Sequence, residues 1–392
     1  MDSEKRLGMI FSQLADELNI SATSYERAVT SYTALGDYIK SKNQSWEVDI
    51  FPQGSFELGT VIKPVSDEDQ YDVDLVVLVK DPRFTDPHEL RKQIQALLES
   101  HGRYEGNIEE KKQCLRVVYQ ESSQFHMDVV CATDAHYTNC QVISVAKKNE
   151  SGKGYNFSPS NPKGYIDWFK GVMNYDRLLQ EAKTQRGMFK NATKVEDLSL
   201  PRMRTPLQKA IQILKRHRDI YFKDDLDNRP SSIIITTLCA LTYDNSNIYN
   251  SDNDNVYLTI KNMLQNFYVH LKKDSAGEYR LSNPSYEDEN FIFKWNSNDS
   301  LREKFFNWVN KARRDIIESP LEFIDKEPSK LSEMMMENFG PKATQNGLRK
   351  YGEELGKKST EGLLNVDKNT MSVTLSTSTS TIKPKPNTFY GE

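Results

Sequence analysis

Two aspartates one residue apart, Asp72 and Asp74, lie inside the apolar segment 71–79 (YDVDLVVLV) of this 392-residue chain. The β-branched residues around them predict a strand. Side chains alternate between the two faces of a strand, so Asp72 and Asp74 share one face while Val73 and Leu75 point to the core. Two carboxylates held this close repel each other unless cations lie between them. The segment therefore predicts a site for Mg²⁺ and a nucleoside triphosphate, which is the chemistry of a nucleotidyltransferase.

A third carboxylate, Asp128, lies in a second apolar strand segment, QFHMDVVCA. Aspartate is rare inside strands, and an unpaired buried charge is costly. Three such residues on neighbouring strands suit two-metal phosphoryl transfer, in which one ion activates the attacking hydroxyl and the other holds the triphosphate. We expect Asp72, Asp74 and Asp128 to be the catalytic residues and the metal ligands, with two Mg²⁺ ions bound and Mn²⁺ as the alternative.

A glycine–serine turn, Gln53-Gly54-Ser55, precedes the paired aspartates. A turn that leads into a helix N-terminus directs backbone N–H groups and the positive end of the helix dipole at an anion. Glycine allows close approach of the backbone, and the serine hydroxyl can donate to a phosphate oxygen. The turn thus predicts a nucleotide-binding contact from Gln53, Gly54 and Ser55.

The segment 205–222 predicts an amphipathic helix whose start carries the sequence of a capping box, with Thr205 as the N-cap. At 100° per residue, Lys215 lies at the edge of the apolar face, where it could reach a phosphate across a cleft. A solvated lysine is the alternative. Lys209 and Arg216 fall on the far side and are expected to face solvent.

Three further residues are candidate nucleotide contacts, each with a structural alternative. Ser231 and Ser232 follow Pro230 at the start of an apolar element and would donate to phosphate there or merely cap a helix. Arg116 lies within the strand segment CLRVVY. It would contact the triphosphate if its strand neighbours that of Asp128, or form a structural ion pair instead.

The cysteines form no CxxC pair, which indicates reduced thiols rather than disulfides. Cys131, His136 and Cys140 could be imagined as zinc ligands, but a fourth ligand is missing. A buried strand cysteine followed by loop residues is therefore the favoured interpretation.

The chain carries 52 Lys and Arg against 56 Asp and Glu, a net charge of −4. Proteins that bind long nucleic acid usually present a clearly basic domain, so no long nucleic-acid partner is expected. The sequence has no signal-peptide pattern and no apolar run long enough to span a membrane. A cytoplasmic protein without a membrane partner is therefore expected.

The pattern of apolar residues predicts an α+β chain that is mixed α/β up to about residue 150 and mostly helical beyond. N-terminal helices over 1–45 are expected to pack on a catalytic core over 46–164, followed by a helical lobe over 165–358 and a disordered tail over 359–392. Strands are expected at 47–51, 72–79, 114–119 and 125–132, a loop at 149–164, and helices at 4–20, 23–42, 88–100, 165–190, 205–222, 231–243, 257–272 and 300–318.

The motifs QGSFELGTV, YDVDLVVLV and FHMDVVCA resemble the core of polymerase-β-type nucleotidyltransferases. The later RTPLQKAIQILKRHRDIYF and RPSSIIITTL resemble the bacterial cyclic-oligonucleotide synthases (cGAS/DncV-like nucleotidyltransferases) of anti-phage defence. The resemblance covers about residues 45–245. It implies a two-lobed fold with the active site in the cleft, Mg²⁺ on the three aspartates, and nucleotide contacts from Lys215, Ser231, Ser232 and Arg116.

The resemblance also implies the activity. Two or three nucleoside triphosphates, ATP first and GTP or others as alternatives, would be joined into a cyclic second messenger with release of pyrophosphate. A regulatory protein or a conjugation system acting on the C-terminus would be a partner. The alternatives are a nucleotidyltransferase that modifies RNA or protein, and a non-catalytic nucleotide-binding protein.

Overall fold

The computed structural model describes residues 2–42, 46–66, 70–119, 125–134, 141–149, 152–173, 204–243, 255–363, 365–367, 373–374 and 381–382. Within them the chain builds an α+β fold of two lobes, one around a sheet and one of helices. No helix in these ranges is long and apolar enough to cross a membrane.

The first lobe is built on a seven-stranded mixed sheet. Its strands are β1 Glu47–Gln53, β2 Tyr71–Lys80, β3 Ile108–Glu110, β4 Leu115–Val118, β5 Phe125–Thr133, β6 Ile143–Lys148 and β7 Tyr155–Ser160. The order β1-β2-β5-β4-β3 runs across the sheet, and β6 pairs with β5 and with β7. Strands β2 and β5 are parallel, whereas the other pairs are antiparallel. The two strands that carry the aspartates are therefore direct neighbours.

One face of this sheet is covered by α2 Ala22–Lys42 and α4 Pro87–Glu99. Apolar side chains of both helices, among them Leu35 and Leu90, join Val73 and Leu75 in a single buried cluster. The alternation of side chains along β2 then leaves the aspartates on the opposite face, as the sequence predicted. The short helix α3 Gly54–Glu57 connects β1 to the segment before β2.

The second lobe is helical and has its own apolar core. It contains α1 Ser3–Leu18, α5 Pro162–Val172, α6 Pro206–Tyr221, α7 Ser232–Thr242, α8 Val256–Asn266, α9 Asp299–Arg313, α10 Ser319–Phe323, α11 Pro328–Phe339 and α12 Pro341–Thr360. A π-helical turn joins α9 to α10, and short strands lie at β8 Lys272–Lys273, β9 Tyr279–Arg280, β10 Ser282–Asn283 and β11 Tyr286–Asn290. Helix α6 is buried along most of its length.

Helix α6 also holds the two lobes together through side chains that donate to backbone carbonyls of residues 58–64. Gln208 donates to Leu58 O and Gln212 donates to Val61 O, both at 2.9 Å. Further along the helix, Lys215 and Arg216 make the same kind of bond. The segment so held connects the glycine–serine turn to the strand of the paired aspartates, so α6 fixes the position of both.

The predicted elements are largely confirmed. Thr205 caps α6 with both hydrogen bonds of a capping box, and the Ser21 hydroxyl accepts from the Ser24 amide at the start of α2. The segment 231–243 is a helix, as favoured over a strand. The helix expected over 165–190 begins earlier, at Pro162, and its second half lies outside the described residues.

Other expectations are wrong. The segment 149–164 is not simply a loop, because β7 and the start of α5 lie within it. Lys209 and Arg216 do not face solvent: Arg216 is 4% exposed, and Lys209 bonds to Ser12 and Asp16 of α1. Helix α1 packs on the side of α6 that was predicted to face solvent. A helical wheel describes one helix alone and cannot show which other segment packs against it.

The chain ends also differ from expectation. Of the two N-terminal helices expected to pack on the catalytic core, α2 packs on the sheet, whereas α1 packs in the helical lobe. The tail expected to be disordered contains β12 Asn365–Asp367, which pairs with β13 Val373–Thr374 and β14 Thr381–Ile382. Valine and threonine favour extended backbone, and this local preference operates even in a low-complexity sequence.

Replacement of Gln212 by Met tests the hydrogen bonds between α6 and the segment 58–64. Gln212 is fully buried and its amide donates to Val61 O and to the Asn19 side chain. Methionine keeps the volume and leaves both acceptors unpaired, so we expect a loss of about 2 kcal/mol in the free energy of unfolding. Lys209→Met on the same helix removes a partly exposed ion pair and should cost about 1 kcal/mol or less. Urea denaturation of both variants measures the difference, and equal losses would contradict the assignment.

Candidate active site

Four of the predicted site residues lie in one row across four neighbouring strands. Gln53 on β1 pairs with Asp74 on β2, and Asp74 pairs with Asp128 on β5. Asp128 pairs in turn with Arg116 on β4, and Arg116 with Glu109 on β3. Directly paired residues point to the same face of a sheet, with strands about 4.8 Å apart. The side chains therefore line one face in the order of the strands.

The three aspartates differ in exposure. The Asp72 side chain is 52% exposed at the mouth of the site, Asp74 is half-buried, and Asp128 is buried. Desolvation raises the pKa of Asp74 to about 8, and the negative charges of Asp128 and Asp72 add to the shift. The pKa of Asp72 is also raised, by desolvation first and by Asp128 second. The site thus concentrates negative charge that the sheet alone does not compensate.

The glycine–serine turn lies directly against Asp74. Gly54 has a φ of 68°, in the left-handed region that favours glycine. An added Cβ there would lie 2.1 Å from Asp74 Oδ2. Ser55 follows in the first turn of α3, and its carbonyl accepts from the Thr60 amide at 2.9 Å. The glycine is therefore required both by the backbone conformation and by the carboxylate packed against it.

Arg116 fills the space between two of the carboxylates. Its Nε and one terminal nitrogen donate to the two oxygens of Asp128 at 2.7 and 2.8 Å. The same terminal nitrogen donates to Asp72 Oδ1 at 2.8 Å. The ion pair that the sequence left as an alternative for Arg116 is thus present.

The site can be tested for its fit to a metal. Among the described residues, no three His, Cys, Asp or Glu side chains are arranged to hold an ion, because the carboxylates of Asp72 and Asp128 converge on the guanidinium of Arg116. The donor set nevertheless suits a hard divalent cation: three carboxylates of one sheet face, two of them direct row neighbours. Desolvation, followed by the charges of Asp128 and Asp72, raises the pKa of Asp74, and a bound cation would oppose that shift. We conclude that these residues fit Mg²⁺ once Arg116 has moved.

Lys215 approaches the acidic residues from the helical lobe. It is 4% exposed, and its Nζ donates to Thr60 O at 2.9 Å, which uses one of its three protons. Desolvation lowers its pKa to about 8, the charge of Arg218 adds to the shift, and the charges of Asp219, Asp74 and Asp72 oppose it. Lys215 therefore lies under the segment between the turn and β2, and its contact with a phosphate stays a prediction.

The two serines at the start of α7 have different surroundings. Ser231 is exposed at the N-cap position and its side chain makes no capping hydrogen bond. The hydroxyl of Ser232 accepts from Arg218 at 3.0 Å, and Arg218 also donates to Pro230 O. Arg218 is buried and holds Asp219 as well. Ser231 is thus the exposed serine, and its contact with a phosphate stays a prediction, whereas the hydroxyl of Ser232 links α7 to α6.

Sequence reasoning missed Arg218 and Arg229. Arg229 lies just before Pro230 and contacts Asp219 at 3.4 Å, with 41% of its side chain exposed. Its positive charge partly offsets the raised pKa of Asp72. The run RHRD in α6 was the available signal for Arg218, because charges so dense on one helix need partners.

The zinc alternative receives no support. Cys131 is fully buried in β5, as the favoured interpretation expected, whereas His136 and Cys140 lie outside the described residues. The thiols of Cys114, Cys131 and Cys239 are buried and not bridged.

Comparison with known proteins relates the chain to nucleotide second-messenger synthases. Residues 6–172 match the family model of the Second Messenger Oligonucleotide or Dinucleotide Synthetase domain. A c-di-GMP synthase of Roseivirga ehrenbergii is 27% identical over 319 residues, which cover 80% of this chain and 80% of that protein. The range matched by the family model contains the turn and all three aspartates.

Solved structures share the fold. The CD-NTase CdnG of Bradyrhizobium diazoefficiens in complex with GTP superposes with a TM-score of 0.67 at 17% identity, covering 88% of this chain and 99% of that one. The cyclic AMP-GMP synthase DncV of Vibrio cholerae, in complex with a linear intermediate, gives a TM-score of 0.53 at 15% identity and covers 87% of this chain and 90% of that one.

Replacement of Gly54 by Ala tests the contact between the turn and Asp74. The new Cβ would displace the carboxylate, so we expect binding of a non-hydrolysable triphosphate analogue with Mg²⁺ to weaken by roughly tenfold or more, equivalent to about 1.4 kcal/mol. Gly106→Ala is a matched control, since Gly106 has a φ of 71° and open space around an added Cβ. Both variants should lose about 1–2 kcal/mol of stability from the left-handed backbone. Titration calorimetry measures the affinities, and an equal effect of both variants would refute the contact.

Proposed function

We propose that this chain belongs to the second-messenger oligonucleotide synthetases, whose family model matches residues 6–172, and that it joins two nucleoside triphosphates into a cyclic dinucleotide and releases pyrophosphate. The row Gln53, Asp74, Asp128 and Arg116 carries the proposal, because it aligns the glycine–serine turn and two of the three carboxylates on one face of the sheet. The name of the c-di-GMP synthase relative supports a dinucleotide product. A trinucleotide is the alternative ring size.

Mg²⁺ held by Asp72, Asp74 and Asp128 would supply the positive charge that activates a ribose hydroxyl and stabilises the leaving pyrophosphate. The protein contributes position and charge. The amides at the start of α3 and the Ser55 hydroxyl bind the triphosphate of the donor nucleotide. Lys215 and Ser231 approach the same phosphates from the helical lobe. Each phosphodiester bond would then form by in-line attack of a ribose hydroxyl on the α-phosphate of the other bound nucleotide. Pyrophosphate leaves, and no covalent enzyme intermediate is needed.

The second bond requires the linear intermediate to present its own hydroxyl to the same three carboxylates. A cleft between two lobes suits this step, because the linear intermediate can reorient within it without leaving the protein. GTP is the first substrate to test, since the relative is named for a guanine dinucleotide. ATP and the other triphosphates complete the set.

The product would act as a signal in anti-phage defence. We place the enzyme in the cytoplasm, where its triphosphate substrates are available. A regulatory protein, or a system that conjugates the C-terminal tail, would control it.

Replacement of Asp74 by Asn tests the catalytic assignment. The amide keeps the shape and removes the charge, so we expect product formation to fall by roughly a hundredfold or more. Stability should not fall, because the raised pKa of Asp74 means that its charge is unfavourable in the folded protein. Asp37→Asn, at an exposed position of α2, is the control and should retain activity. Mass spectrometry of reactions with all four triphosphates identifies the product. A fully active Asp74→Asn enzyme would refute the mechanism, and label on added RNA or protein would favour the macromolecular alternative.

Replacement of Arg229 by Gln tests the helical lobe. Arg229 is half-exposed, its charge acts on Asp72, and its contact with Asp219 is long at 3.4 Å, so its guanidinium is available to a triphosphate. Loss of a charged hydrogen bond costs about 1.5–3 kcal/mol, so the KM for nucleotide should rise roughly tenfold or more while stability is unchanged. Arg349→Gln, in an exposed pair on α12, is the control. Steady-state kinetics and thermal melting separate the two effects, and an unchanged KM would remove Arg229 from the site.

A further inference from the structure

Arg116 uses the oxygen atoms that a metal ion would need. Both carboxylate oxygens of Asp128 and one of Asp72 accept from its guanidinium, at 2.7–2.8 Å. The Arg116 side chain is 22% exposed, and the carboxylate of Asp128 is 10% exposed. A divalent cation cannot coordinate these oxygens while three charge-assisted hydrogen bonds occupy them.

The row across the sheet offers Arg116 a second carboxylate. Glu109 on β3 is its direct partner on the side away from Asp128, and paired side chains share a face. Glu109 currently pairs with Lys111 at 2.6 Å, and both side chains are about half exposed. Such surface pairs are weak, so Glu109 can accept a new partner at small cost. A rotation of one side chain across one strand spacing therefore transfers the guanidinium from Asp128 to Glu109.

We propose that Arg116 is a built-in counter-ion, which neutralises the carboxylates of the nucleotide-free protein and moves toward Glu109 when a divalent cation takes its place. The inference rests on the metal site of the proposed function. It makes metal loading an exchange of one cation for another. In the unloaded site Arg116 thereby pairs with two of the three carboxylates, and the protein binds free metal weakly.

Binding of Mn²⁺ alone, followed by electron paramagnetic resonance in the absence of nucleotide, tests the exchange. Arg116→Gln removes the competing charge, so Mn²⁺ affinity should rise by about tenfold or more. Arg116→Lys keeps the charge and should remain within about threefold of the wild type. Arg83→Gln is the matched control, since the exposed Arg83 side chain pairs with Asp81 outside the site, and it should not change the affinity.

Equal, measurable affinities of the wild type and Arg116→Gln would overturn the exchange and leave the metal site of the proposed function intact. No Mn²⁺ binding by any variant, Arg116→Gln included, would overturn the exchange. Product formation by the wild type, measured separately by mass spectrometry, then decides the proposed function by itself.

A second measurement uses the wild-type protein and does not depend on the folding of a variant. The Nε–H of Arg116 donates to Asp128 at 2.7 Å and should give a protected arginine resonance in ¹⁵N NMR, assigned by its absence in Arg116→Lys. Addition of Mg²⁺ should shift or remove that resonance. Its persistence unchanged at a Mg²⁺ concentration that saturates the Mn²⁺-competition curve would overturn the proposal. Glu109→Gln should leave the metal-free resonance in place and lower Mn²⁺ affinity, and an unchanged affinity would refute Glu109 as the receiving group.

Discussion

The position of the active site depends on side chains of α6 that donate to backbone carbonyls of residues 58–64. Gln208, Gln212, Lys215 and Arg216 lie on successive turns of one helix face and reach the carbonyls of Leu58, Val61, Thr60 and Lys63. A buried carbonyl without a partner is costly, so this irregular segment can be buried only where such donors meet it. The contact therefore fixes the helical lobe relative to the turn and the paired aspartates.

The sheet supplies the second constraint, which is register. Val73 and Leu75 are buried against α2 and α4, so a shift of β2 by one residue would turn the aspartates into the core. With the register fixed, Asp74 faces Asp128 on one side and Gln53 on the other. The carboxylates are then forced together by the same packing that stabilises the lobe. Arg116 compensates part of the resulting repulsion, from a strand whose register is fixed in the same way.

The parts of the site that were predictable from the sequence are those with a local signal. Aspartates in an apolar strand have no structural explanation in isolation, and the capping box of Thr205 is a complete motif. Strand β7 has no such signal, because YNFSPS contains the residues typical of loops and extends through pairing with β6. The burial of Arg216 was likewise hidden, since a bond from a side chain to a backbone carbonyl leaves no periodicity. What sequence reasoning missed is therefore mainly what distant segments contribute.

Helix α6 combines a structural and an electrostatic role, and the two depend on each other. Lys215, Arg216 and Arg218 follow one another closely, and all three are buried. Desolvation lowers the pKa of each, so the cations are kept only because carbonyls and Asp219 accept their hydrogen bonds. The buried cations of α6 are thus held by the bonds that join the lobes, and the carboxylates by the packing of the sheet. Each group of buried charges is unfavourable without a partner of opposite sign. A triphosphate with its metal ions carries charges of both signs, so it is the ligand that would bind best to both groups.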